Sequence, residues 1–173
     1  ILEDPNSAPA HYYLALNLGQ VARDKKLGAL HVLREMEREF LKALDLDPAL
    51  DYAGPARSLG LLYMDAPGWP LSIGSRSKAR HHLEAAVSLS PSFPENHICL
   101  AEAWARWNDP KKLHAELQRI QELLPSAKKQ FPPSIWTASW KDWETRLQAL
   151  KETDRQLSSR SHPSPAERGA GRR

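Results

Sequence analysis

The residue types able to do chemistry in this chain are seven histidines, one cysteine and scattered charged groups. His11, His31, His81, His82, His97, His114 and His162 include no HExxH pair and no carboxylate at a metal-ligand spacing. Adjacent His81 and His82 would point about 100° apart on a helix, too divergent to hold one ion. Surface positions on helices account for these histidines, and neither a metal nor another cofactor is expected. Cys99, between Ile98 and Leu100, suits a small apolar packing group, and His97 faces elsewhere on the same helix, so the two make no nucleophile–base pair. A single cysteine also excludes a disulfide within the chain and a cysteine-based zinc cluster. The stretch "SIGSRSKA" carries one glycine and a lysine without the GK[ST] ending of a phosphate loop. It reads as a turn into a helix capped by Ser77. With no convergent polar set, the expected work is recognition, not catalysis.

Charge supports that reading. The net charge is +3 over 173 residues, and Arg160, Arg168, Arg172 and Arg173 against Glu167 account for all of it. Residues 1–157 are formally neutral and offer little phosphate affinity, so nucleic acid is not an expected partner. The Ser/Pro/Gly-rich tail from Ser158 is expected to be disordered. With 41% apolar and 26% charged residues, and no apolar run of 18, no segment is expected to span a membrane. The start, "ILEDPNSAPAHYY", lacks an initiator Met, a basic region and an apolar region, as a trimmed or processed chain would.

The elements that must position any binding surface are helices. Tyr13, Leu14 and Leu18 recur at helical spacing over about 9–22, behind Ser7 as a cap. A second helix spans about 29–46, with Leu30, Leu33, Phe40, Leu41 and Leu44 on its stripe, and stops at "DLDP" because Pro48 cannot donate to a helical bond. The pattern returns over about 55–64 and 78–89. Ser92 and Glu95 suggest a capping box ahead of 96–107, and Asp109–Pro110 suggests a cap and first-turn proline for a helix ending at Leu124, closed by Pro125. A last helix, about 137–157, places Trp136, Trp140, Trp143, Leu147 and Leu150 on one face, where they suit a capping role more than a partner-binding patch.

These helices repeat. Leu14-Ala15, Leu59-Gly60 and Leu100-Ala101 each precede a large side chain, Leu18, Tyr63 or Trp104, by four residues from the leucine. Phe40/Ala43/Pro48, Leu83/Ala86/Pro91 and Leu117/Ile120/Pro125 share offsets of three and five. Small residues admit a partner helix and the larger ones fill the gap beyond. The spacing resembles the tetratricopeptide repeat, a helix-turn-helix unit of about 34 residues, over residues 8–125. The resemblance implies an all-α, right-handed αα superhelix: units over about 8–48, 53–91 and 94–125, a capping helix over about 137–157, and one repeat domain over 1–157. It further implies that first helices line a concave face, with Tyr12, Leu16 and Gly19, then Arg57, Leu61 and Met64, then Ile98, Glu102 and Ala105. Arg57 would orient a carboxylate or carbonyl there, while Glu102 would answer a basic group or pair with Arg57. Of the family's clamp for C-terminal carboxylates, only Arg57 and Asn96 have counterparts.

The second unit is longer because "DAPGWPLSIG" lies between its helices. Together with "KARHHLEAAVSLSPSFPENH" and "LAEA", this stretch is similar to a bacterial group that includes the periplasmic, often lipid-anchored T component associated with TRAP transporters. That similarity implies a periplasmic or membrane-anchored setting, with a cytoplasmic one as the alternative, and a solute-binding protein or small organic ligand as partner. Pro67 and Pro70 restrict the connector, and Gly68 permits a sharp turn. Trp69 supplies either a buried anchor against its own unit or a contact for a neighbouring subunit or ligand. The sequence as a whole leads to a non-enzymatic protein-binding or assembly module, with a protein or peptide partner by default and self-association left open.

Overall fold

A computed structural model of the chain describes residues 4–24 and 29–161, with side-chain surroundings for 4–20 and 30–159. Seven helices follow one another among the described residues: α1 (Ala8–Asp24), α2 (Ala29–Leu46), α3 (Leu50–Asp65), α4 (Arg76–Leu89), α5 (Pro94–Arg106), α6 (Pro110–Gln130) and α7 (Thr137–Ser161). The only bridge of extended type among them joins Gly68 to Gly74. The chain divides into two compact units, residues 1–100 and 101–173.

In the first unit, α1 packs on α2 and α3 on α4, with α2 joining the two pairs. The repeated small residues explain the closeness of the second pair. A Cβ on Gly60 would lie 2.5 Å from Leu83 Cγ, so only glycine lets Leu83 seat fully against α3. Ala15, Phe40, Ala43, Leu59, Tyr63, Leu83 and Ala86 are all buried. The helix starts follow local chemistry. Ser7 accepts from the Ala10 amide at 3.3 Å. Ser75, not Ser77, caps α4 by accepting from the Lys78 amide, because Ser77 is already inside the first turn. Likewise α5 begins at Pro94, which puts Ser92 outside the cap position the capping box required.

In the second unit α6 packs on α7. Asp109 caps α6, accepting from the Lys112 amide at 3.2 Å, with Pro110 in the first turn. Pro125 does not end this helix, which continues to Gln130. An interior proline costs about 3 kcal/mol, but continuing the helix buries Ala127 and Phe131, and the Phe131 amide closes the last turn on the Ala127 carbonyl at 2.7 Å. Ser126 Oγ also donates to the Leu123 carbonyl. Along α7, Trp140, Trp143, Leu147 and Leu150 are buried and Trp136 half-buried. Trp140 Nε1 donates to the Phe131 carbonyl at 2.7 Å, so the indoles are core. Because α7 runs to Ser161, the tail expected to be disordered from Ser158 begins in helix; residues 162–173 lie outside those described.

Candidate functional site

Two connectors in the first unit gather Tyr12, Arg57 and Asn96 at one and Trp69 at the other. One is the entry to α3. Asp51, Tyr52 and Ala53 have φ of 50°, 55° and 65°, three successive residues in the left-handed region. That conformation costs about 1–2 kcal/mol per residue for L-amino acids, so something must hold it. Arg57 does so from one turn into the regular helix. Its NH2 meets Asp51 Oδ2 at 3.1 Å, and its NH1 donates to Asn96 Oδ1 at 2.8 Å and to the Tyr52 carbonyl at 3.3 Å. Asn96 Nδ2 in turn reaches the carbonyls of Tyr52, Ala86 and Ser90 at 3.0 to 3.2 Å. Tyr12 Oη donates to Asp51 Oδ2 at 2.8 Å. Burial, and then the Asp51 carboxylate, push the Tyr12 phenol up to about 12. Gly54 is required because a Cβ there would sit 2.5 Å from Tyr12 Oη. Phe93 closes the cluster, stacked on Tyr52 at 4.5 Å and lying under the Arg57 guanidinium at 5.4 Å.

The other connector is the loop between α3 and α4. Its backbone folds on itself: the Leu71 and Ser72 amides donate to the Gly68 carbonyl, Gly74 to Pro67 at 2.9 Å, and Ser75 to Tyr63 at 2.9 Å. Gly74 has no room for a Cβ, which would collide with the Ala66 carbonyl oxygen. The Trp69–Pro70 peptide is cis. Trp69 is 88% exposed and Leu71 69% exposed. The buried anchor that the proline and tryptophan suggested is therefore incorrect, because main-chain hydrogen bonds close the loop without the indole.

The residues expected to line a concave face differ in their exposure. Leu16 is exposed, and Leu61, Met64, Gly19 and Ala105 are half-buried. Tyr12, Arg57 and Ile98 are buried, so Arg57 serves the α3 entry instead of a ligand carboxylate. Within the second unit, Glu102 receives two hydrogen bonds from Arg146, from Nε at 2.7 Å and NH2 at 2.8 Å.

Not all the histidines are surface groups. His11 is buried, its Nδ1 2.6 Å from Glu39 Oε2 and its Nε2 2.9 Å from the Pro5 carbonyl. Burial pushes the Glu39 carboxyl up, but hydrogen bonds from His11 and Arg38 outweigh it and leave it below the ordinary value. His97 is also buried, with Nε2 2.8 Å from the Pro91 carbonyl, and buried Cys99 donates to Glu95 at 3.3 Å. His82 stacks on Tyr63, whose hydroxyl donates to Glu37 at 2.6 Å. Burial first, then His81 and Lys78, hold His82 below the usual histidine range, while burial and Glu37 push the Tyr63 phenol up. His162 lies outside the described residues. Among the described residues no three metal-ligating side chains gather, and no helix is long and apolar enough to cross a membrane.

Sequence reasoning missed Asp51 and the left-handed entry, since nothing in "PALDYAGP" names a partner as distant as Asn96. Asn96 was noticed for a ligand clamp, yet its side chain is spent on carbonyls. Compared with known families and curated proteins, the chain matches no family model and no curated protein.

Proposed function

We propose that the protein is a non-enzymatic binding or assembly module whose contact surface is the loop between α3 and α4. The observation that carries this reading is the exposure of Trp69 and Leu71 on a loop whose own backbone is closed by hydrogen bonds. A preformed loop loses little entropy on association, and tryptophan is among the side chains that most often anchor protein interfaces. The half-buried Leu61 and Met64 of α3 extend the available apolar surface. The repeat offsets support a right-handed tetratricopeptide-like superhelix as the scaffold, and the stretch around Trp69 supports the likeness to the T component of TRAP transporters, with a protein or peptide as the partner.

The test is site-specific photo-crosslinking in cells from which the chain comes, with a photoreactive phenylalanine at position 69 and, as control, at exposed Glu84. A discrete crosslinked polypeptide at 69, absent at 84 and lost when Leu71 is also changed to serine, is expected. Equal labelling at both positions, or none at 69, overturns the reading.

A further inference from the structure

In the second unit, α6 and α7 face each other across an open groove of about 330 Å3 that includes His114, Gln118, Gln121, Lys151, Asp154 and Arg155. The helical register explains the grouping: 114, 118 and 121 lie on one face of α6, and 151, 154 and 155 on one face of α7. The groove belongs to the second unit, whereas the loop proposed above belongs to the first.

Its charges are arranged unequally. The Asp154 side chain is only 14% exposed, with Oδ2 2.9 Å from His114 Nδ1 and Oδ1 buried without a partner. An ionised carboxylate only accepts, so the proton of the pair sits on His114 Nδ1. The imidazole is thereby oriented with Nε2 outward, 3.2 Å from the Gln118 amide nitrogen, on a ring that is 58% exposed. Lys151 has no carboxylate partner among the described residues, and Arg155 commits NH1 to Glu152 at 2.9 Å while its other nitrogens stay available. The anionic group is withdrawn and the donors are outermost.

We infer that this groove is a binding site for a phosphate group, free or carried as a small phosphomonoester. Lys151, Arg155 and the Gln118 and Gln121 amides supply donors to a tetrahedral oxyanion, which has enough oxygens to engage several at once where a carboxylate has two. His114 completes the set by taking a proton at Nε2, with Asp154 stabilising the imidazolium through Nδ1. Gln118 turns away from Nε2 as that proton arrives. Asp154 is thus a positioning residue for His114 and does not itself touch the anion.

The experiment titrates the full chain at constant pH with inorganic phosphate, and separately with phenyl phosphate, in about 0.15 M chloride, where exposed charges are screened. Saturable one-to-one binding is expected, with the 15N shifts of the His114 ring moving from the neutral to the imidazolium pattern. Lys151→Ala and Gln121→Ala, both at exposed positions, should each weaken binding, the lysine change by about tenfold or more. Asp154→Asn should abolish the histidine shift change. Tighter binding of phenyl phosphate identifies a phosphomonoester as the ligand, and equal binding identifies phosphate itself. Non-saturating shifts, binding unchanged in Lys151→Ala, or a His114 ring that stays neutral at saturation overturns the assignment.

Discussion

The two connectors that flank α3 solve the same problem in opposite ways. At the entry, left-handed residues 51–53 are held by side chains: Arg57, Asn96 and Tyr12 occupy the polar groups and are themselves buried. At the exit, main-chain hydrogen bonds close residues 67–75, and Trp69 and Leu71 are left in solvent. Where side chains do the fastening, none is left for a partner. Where the backbone does it, the side chains stay available for contacts.

Breaking the entry should have the largest effect. Arg57→Met removes the donors to Asn96, Asp51 and Tyr52 and leaves Asn96 Oδ1 buried and unpaired, so it is expected to cost about 2–4 kcal/mol in urea denaturation. A loss below about 0.5 kcal/mol would show that the left-handed turn holds itself.

The same cluster should show in alkali. The Tyr12 phenol ionises near 12 in the fold and near 10 when unfolded. Between those values the folded state binds the extra proton, so stability is full below pH 10 and falls as pH rises towards 12, by about 2–3 kcal/mol. Absorbance of the tyrosinate band should contain late-titrating components from Tyr12 and Tyr63, and Tyr12→Phe should remove the earlier of the two together with this part of the pH dependence of stability.

The exit gives smaller effects. Gly74→Ala drives a Cβ into the Ala66 and Pro67 carbonyls, and about 1–3 kcal/mol is expected in thermal melts, because main chain must move. The double variant Trp69→Ser, Leu71→Ser should change stability least, by about 0.5 kcal/mol or less, while abolishing co-purification of the partner polypeptide. A large loss of stability in this variant would erase the contrast between the connectors.

Much of the helical order was legible in the residues. The stripe from Leu30 to Leu44 gave α2 its observed bounds, and the recurring small-then-large offset anticipated the Gly60–Leu83 contact, because close packing needs that pairing wherever two helices meet. Pro125 misled because its local cost is outweighed by burial of Ala127 and Phe131, which no window around the proline reveals. Trp69 stayed open between a buried anchor and a partner contact, because aromatic bulk and two prolines imply an anchor only if the chain has no other way to close. Tyr12 lies one turn from exposed Leu16 on α1, and Arg57 one turn from half-buried Leu61 on α3, yet their partners come from elsewhere in the chain, so burial could not be read from spacing.

The left-handed entry also has a consequence for biosynthesis. Tyr52 offers its carbonyl to an asparagine 44 residues downstream. A nascent chain grows at about 5–20 residues per second, so residues 51–53 emerge on the order of seconds before the group that fastens them. During that interval a right-handed turn is the lower-energy local choice at residues 51–53. Arrival of Asn96 ends that competition. The α5 N-terminus thus acts as a late fastener of the entry to α3, and a polypeptide released before residue 96 would lack the side chain that accepts from Arg57 and donates to the Tyr52 carbonyl.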